Sequence, residues 1–351
     1  IREDVWESLN AGDFGQSLAQ LILNEPNEIG KLENVFRYVG SGRRAYKAVN
    51  IPQPQYRAKS LSIIVNYRDR PELMESFLQT LSRQKTNKTV EVIMINNQST
   101  PENFDHVKKR AAELLPSLFK VIHEIYDAPF NLSWQDNRGA EISTGEVLFF
   151  INNDAYFMDT NVLEVLADWA MEPGVATVGP GFYGKAGRLV SSGVEVFPDK
   201  RRLHGYVMRE CEEPYIAHTI HESAGNSFAC AAINKETWLK LGGLNGDVFP
   251  DQYNDADLYI RAMMAGYKHI FVGTVRVFHE PGASEQRTRE MVFRLHNRLC
   301  SIYPDMGKFH GREIFVNNIG IKLPDFAELI PALTLKLINF SSQIDKCRRV
   351  R

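Results

Sequence analysis

The sequence predicts an α/β fold: a mixed, mainly parallel sheet flanked by helices, with helical extensions at the N- and C-terminal ends. Three observations carry this. From residue 61 onward, β-branched apolar runs alternate with helix-periodic segments, the pattern of parallel βαβ units. Three of these runs end in polar clusters, at Asn66-Tyr67, Asn96 to Thr100 and Asn152 to Asp154. Parallel strands present their C-terminal ends on one edge, so these clusters converge there. After Asp154 the alternation gives way to short strands separated by Gly and Pro, so the sheet becomes mixed.

The first 57 residues read as a mostly helical lead-in, with Trp6, Leu9, Phe14, Leu18, Leu21 and Ile22 at roughly helical spacing. Asn50 to Gln55, with two prolines, reads as an extended linker. The core then begins at Leu61 to Tyr67. A helix follows from Pro71, favoured at a first helical position, with Leu73, Phe77 and Leu81 as its buried stripe. Strands are expected at Val90 to Ile95 and Val121 to Ile125, a helix near Ser133 to Ser143, and a strand ending at Asn152. Beyond it, Val175 to Val178, Leu189-Val190 and Val194 to Val196 read as short strands, Ala229 to Ile233 as another, followed by a helix that ends at Gly242-Gly243. A further helix opens at Asn254 to Leu258 and stops at Gly266, a favourable glycine position past a helix end. A last strand runs from Ile270 toward His279. The division is thus an extension over 1–57, a main domain over 58–284 and a helical extension over 285–351.

Composition narrows the functional classes. With 44% hydrophobic and 24% charged residues in 351, the chain is globular and long enough for a large core. A net charge of −2 supplies no global field toward nucleic acid, which is excluded as a partner. The four cysteines, Cys211, Cys230, Cys300 and Cys347, form no CxxC pair, which points to a reducing compartment and away from a zinc site. No apolar run reaches the roughly 18 residues of a membrane span. The expected location is therefore cytoplasmic.

Two segments carry chemistry. The run Val147 to Ile151 drives into Asn152-Asn153-Asp154, as a buried strand does when it ends at a site. Asp154 is a single carboxylate able to hold a divalent cation; an Asx turn is the competing reading. Asp255 falls in the first turn of a helix, where the helix dipole and free N–H groups favour its anion. It then serves either as a proton acceptor or as a helix cap.

Five blocks stand in order: SIIVNYRDRPEL (62–73), VIMINNQST (92–100), NLSWQDNRGAEISTGEVLFFINND (131–154), AGNSFACAAINKETWLKLGGLN (224–245), and YNDADLYIRAMMAGYKHIFV with VFHEPGAS (253–272 and 277–284). Together they resemble the family 2 inverting glycosyltransferases of the Rossmann-like GT-A fold, in particular the non-processive, rhamnosyltransferase-like members that build bacterial surface polysaccharides. The resemblance implies a nucleotide-sugar donor, UDP or dTDP favoured, and a glycan or lipid-linked acceptor. It implies that Asn66, Tyr67, Asn96 and Asn97 contact base and ribose, with Asn96 standing where the family has Asp. Asp136, Asn137 and Arg138 are further donor contacts, read alternatively as a helix-start hydrogen bond for the first two and a solvated side chain for Arg138. Asn152, Asn153 and Asp154 match the family's DxD position with Asn in place of the first Asp. Asp154 and His279 would hold Mn²⁺ or Mg²⁺, which need only one or two carboxylates when substrate phosphates supply other oxygens. Asn152 and Asn153 would bind sugar or ribose hydroxyls. Asp255 matches the second residue of an acidic pair and would be the general base, with Asn254 and Asp257 in support.

Two other readings compete: a sugar-1-phosphate nucleotidyltransferase, and a non-catalytic nucleotide-sugar-binding module. The Gly-x-Gly-Thr-Arg type loop of the former is missing, as are a Walker loop and the Gln-x-x-Arg-Trp segment of processive synthases. The stretch Leu329 to Phe340 with its basic end, Lys346, Arg348, Arg349 and Arg351, reads in two ways. It is either a peripheral contact with an anionic membrane surface at the inner face of the cell membrane, or a helix packed on the core or a second subunit.

Overall fold

A computed structural model describes residues 46–50, 53–199, 205–211, 217, 219–279, 289–309 and 312–316. In chain order the elements are β1 (Tyr46–Asn50), β2 (Ser60–Tyr67), α1 (Pro71–Leu81), β3 (Thr89–Asn96), α2 (Pro101–Leu114), β4 (Lys120–Ile125), α3 (Leu132–Ile142), β5 (Val147–Asn152), β6 (Ala155–Phe157) and α4 (Val162–Ala170). Then come β7 (Val175–Tyr183), β8 (Leu189–Ser191), β9 (Val194–Asp199), β10 (Gly205–Glu210), β11 (Ile220–Ser223), β12 (Cys230–Asn234), α5 (Lys235–Leu241), α6 (Asn254–Met264), β13 (Lys268–His279), α7 (Arg289–Ile302) and β14 (Arg312–Val316).

Ten strands run in the order β1-β14-β11-β13-β7-β12-β5-β2-β3-β4, with β6 added on β13 and β8 on β7. β9 and β10 form a separate antiparallel ribbon. The half made of β5, β2, β3 and β4 is parallel. β12 runs antiparallel to both β5 and β7, so the sheet is mixed beyond β5, as the sequence pattern predicts. Strand residues alternate between two cores. Ile63, Val65, Val92, Met94, Phe149 and Ile151 face the layer of α1, α2 and α4. Ile64, Ile93, Ile95, Leu148 and Phe150 face the layer holding Trp238, Tyr259 and Leu299. Burial on both faces is why these strands read as unbroken apolar runs.

Local chemistry sets the helix starts. α2 opens at Thr100-Pro101, where the Thr100 side chain accepts from the Asn103 N–H and proline occupies the first turn. Asn131 caps α3 by accepting from the Trp134 N–H, and Asn234 caps α5. The buried stripe of α1 is Met74, Phe77, Leu78 and Leu81; the expected Leu73 is only partly buried and turns to the cleft described below.

Two segments depart from the expected helical extensions. Residues 46–50 and 312–316 are strands and pair with each other in parallel. YKAVN and REIFV carry β-branched and aromatic residues, and adding them to the sheet satisfies backbone groups that a short isolated helix would leave open. α7 is helical as expected. The expected helices over 1–45 and 329–340 lie outside the described residues.

Candidate active site

Parallel register brings the polar strand ends together. Asn66 of β2 stands opposite Asn152 of β5, and Tyr67 opposite Asn96 of β3. Between β2, α3 and the turn after β5 lies an open cleft with a volume of about 160 Å³. Asn66, Tyr67, Asn97, Asn152, Asn153 and Asp154 all line it. Several of their polar atoms are buried and, among the described residues, lack a hydrogen-bond partner: Asn66 Oδ1, Tyr67 Oη, Asn97 Oδ1 and Asp154 Oδ1. Buried polar groups are almost always paired, so a cluster of orphans in a cleft marks a site that a ligand completes. Asn97 is anchored for this task, since its Nδ2 donates to the carbonyls of Tyr126 at 3.1 Å and Ala128 at 2.9 Å.

Asp136 sits at the floor of this cluster. It is 5% exposed and accepts from Asn66 Nδ2 at 2.5 Å. Burial pushes its carboxyl up to about 7, against the smaller lowering effect of the Asn66 bond.

Asp154 and His279 meet through a strand pairing. β6 begins one residue after Asp154 and runs antiparallel to the end of β13, with Ala155 opposite His279. His279 Nε2 thereby lies 3.6 Å from Asp154 Oδ1, with the imidazole edge-on to Phe182. Among the described residues no set of three or more His, Cys, Asp or Glu side chains is grouped to hold a metal. This pair therefore offers two protein ligands and leaves the remaining positions to other oxygens.

Asp255 lies in the first turn of α6, outside the residues that line the cleft. Its N–H donates to Asn254 Oδ1 and its own Oδ1 accepts from the Ala256 N–H. The helix is tied to the cleft through Tyr259, one turn on, whose fully buried ring packs under Gly225. The segment from Gly225 leads into β12, and the Ala229 carbonyl there accepts from the Asn152 N–H at 3.1 Å. A second tie runs from α3: Ser133 donates to the Pro250 and Phe249 carbonyls, fastening the loop before α6.

Three expected donor contacts and one expected supporting residue have partners within the protein. Asn96 Oδ1 accepts from the Ser99 N–H at 3.1 Å, an Asx turn that closes the end of β3. Asn137 holds the Leu244 backbone from both sides, donating to its carbonyl and accepting from its N–H. Arg138 pairs with Glu124 and Glu141. Asp257, nearly buried, binds Arg261 at 2.8 Å and accepts from the Tyr303 hydroxyl at 2.7 Å, so it pins α6 to the segment after α7. In each case the side chain has a partner within the protein that spacing does not reveal. Cleft residues that sequence reasoning passed over are Arg68, Arg70, Phe130, Leu132 and Gln135. The polar triplet directly after β2 was the available signal for the first two.

Residues 62–229 match the family model for glycosyl transferase family 2. The O-antigen biosynthesis protein RfbC of Myxococcus xanthus is 29% identical over 252 residues, which cover 68% of this chain and 19% of that protein. The uncharacterized protein y4gI of Sinorhizobium fredii (strain NBRC 101917 / NGR234) is 24% identical over 232 residues, 64% of this chain and 25% of that protein. The chain thus spans about a fifth to a quarter of the length of these curated relatives. A crystal structure of GalNAc-T7 with UDP, GalNAc and Mn²⁺ superposes with a TM-score of 0.57 at 14% identity, over 72% of this chain and 49% of that one. That likeness concerns the fold. Residues 62–229 are thus similar to glycosyl transferase family 2, and the fold is the mixed, mainly parallel α/β sheet of the GT-A type.

Proposed function

We propose that the chain is an inverting, metal-dependent glycosyltransferase. It moves a sugar from a nucleoside-diphosphate sugar, UDP or dTDP favoured, to a hydroxyl of a glycan or lipid-linked acceptor in bacterial surface polysaccharide synthesis. The observation that carries this reading is the buried, unsatisfied Asp154 Oδ1 beside His279, in one cleft with the orphaned strand-end atoms. Two protein donors suit Mn²⁺ or Mg²⁺, because the donor phosphates complete the coordination. When bound, the cation supplies Lewis acidity at the leaving diphosphate.

The remaining work falls to side chains. Asn66, Tyr67 and Asn97 hold the nucleoside from the strand ends, and Asn152 and Asn153 orient donor hydroxyls. Asp136 acts through Asn66, which it fixes in place. Asp255 accepts the proton of the acceptor hydroxyl as that oxygen attacks the anomeric carbon, and the nucleoside diphosphate leaves from the opposite face. A single displacement inverts the configuration. The relative from Myxococcus xanthus, described as an O-antigen biosynthesis protein, supports the class of acceptor. The Mn²⁺ and UDP of the GalNAc-T7 structure support the class of donor.

The test is to incubate the chain with UDP-, dTDP- and GDP-sugars, with Mn²⁺ or EDTA, and follow nucleoside-diphosphate release. Release with at least one donor, lost in EDTA and in Asp154→Ala, is the expected result. Failure of every nucleotide sugar to bind sinks the assignment.

A further inference from the structure

One wall of the cleft belongs to the loop between β2 and α1, Arg68-Asp69-Arg70. Asp69 and Arg70 both adopt left-handed backbone, at φ 50° and 49°, a region that side-chain-bearing residues avoid. The loop is held there by a latch. Asp69 Oδ1 accepts from the Thr100 N–H and from Asn103 Nδ2, both at 2.9 Å, and the Asp69 N–H donates to Ser99 Oγ at 2.7 Å. The Asn103 bond, then the Thr100 N–H, keeps the Asp69 carboxyl below its ordinary range. Held in this way, the loop places Arg68 and Arg70 among the residues that line the cleft with Asn152, Asn153 and Asp154.

The charge there is unbalanced. Among the cleft-lining residues two guanidiniums face a single carboxylate, Asp154, in a chain of net charge −2. Arg68 is exposed, and its charge acts on the neighbouring Asp69 carboxylate. Arg70 meets Glu72 through Nε and also lies within electrostatic reach of Asp154 and Tyr156. A guanidinium presents a planar fork that matches phosphate oxygens bidentately. A divalent cation held by one carboxylate keeps about one positive charge, less than a diphosphate carries, so the two guanidiniums supply the rest of the balance.

We propose that Arg68 and Arg70 form a diphosphate clamp positioned by Asp69, and that this clamp binds a diphosphate without a divalent cation. The nucleoside part of its ligand rests on the donor reading above; the diphosphate part does not. Calorimetry on the full chain in EDTA tests it, with inorganic pyrophosphate, UDP and dTDP as probes. The wild type should bind pyrophosphate and at least one nucleoside diphosphate. Arg68→Ala/Arg70→Ala should weaken both by about tenfold or more and flatten the dependence of affinity on salt, which a merely structural role would leave unchanged. Arg68→Lys should recover part of the loss, and Asp69→Ala should fall between the two. Both arginines are exposed, so melting of the double variant should match the wild type. Unchanged binding of UDP, dTDP and pyrophosphate in the double variant overturns the clamp and leaves the transferase reading standing. No binding of any of the three to the wild type in EDTA overturns it as well. Pyrophosphate binding that depends on the arginines, without nucleotide binding even in Mn²⁺, supports the clamp while the donor reading fails.

Discussion

His279 Nε2 lies 3.6 Å from Asp154 Oδ1, although 125 residues separate them in the chain, because the three residues of β6 pair with the last three of β13. The contact is thus built into the sheet rather than left to a loop. The sheet holds both side chains at the same edge as Asn66 and Asn152, whose backbones are paired neighbours.

This geometry makes the two residues unequal in a predictable way. Asp154 brings the charge and His279 a neutral or supporting nitrogen, so Asp154→Ala should abolish metal-stimulated donor turnover, by roughly 10²-fold or more. His279→Ala should cost about 10- to 100-fold, recovered in part by raising Mn²⁺. Titration of activity against Mn²⁺ measures both. A His279→Ala curve that overlies the wild type removes the imidazole from the metal site.

Asp255 demands a different test, because its Oδ1 also bonds the Ala256 N–H at the helix start. Asp255→Asn keeps an oxygen for that bond and removes the basicity. The expected outcome is a fall in kcat of roughly 10²- to 10⁴-fold with donor affinity unchanged. Calorimetry with donor beside steady-state kinetics separates the two. A variant that turns over normally moves the base elsewhere in the chain.

The strands and the strand-end cluster were legible in sequence because burial on both faces forces apolar runs, and parallel topology forces their ends together. The meeting of Asp154 with His279 was legible only through family resemblance, since nothing in the spacing announces β6. What spacing could not show is competition for hydrogen bonds. Asn137, Arg138 and Asp257 stand in the resemblance blocks, and they bond to Leu244, Glu124 and Tyr303, partners that spacing does not announce. The strands over 46–50 and 312–316 were missed for a related reason: each is short and is held by pairing with distant strands, β1 with β14 and β14 with β11.

Asp136 links the cleft to pH. Its folded value of about 7 lies above the ordinary 3.8, so between those values the folded chain holds a proton that the unfolded chain has released. Stability from this group is complete below about pH 4 and is lost as pH rises through about 7. Asp136→Asn removes the titration while keeping an acceptor for Asn66. From pH 5 to 8 the wild type should therefore lose roughly 1–4 kcal/mol relative to the variant. Urea unfolding at the two pH values reads the difference, and parallel pH dependence in both proteins would show that Asp136 does not titrate in this range.

Gly225 is where α6 is seated. A Cβ there would lie 2.1 Å from Tyr259 Cδ2 and within 2.6 Å of two further ring atoms. Tyr259 is fully buried between Phe228 and His269, so its ring has nowhere to retreat. Gly225→Ala must then push α6 away from β12 or displace the segment leading to Ala229, whose carbonyl holds the Asn152 N–H. Overpacking of this kind costs typically 1–3 kcal/mol. Because Asp255 sits one turn before Tyr259, the same shift should lower kcat more than it weakens donor binding. Gly242→Ala is the contrast. Nothing lies within 4 Å of a Cβ there, but its φ of 77° is strained for alanine. It should destabilise the fold and leave kcat of the folded fraction intact. Equal effects of the two substitutions on kcat would separate Gly225 from the placement of Asp255.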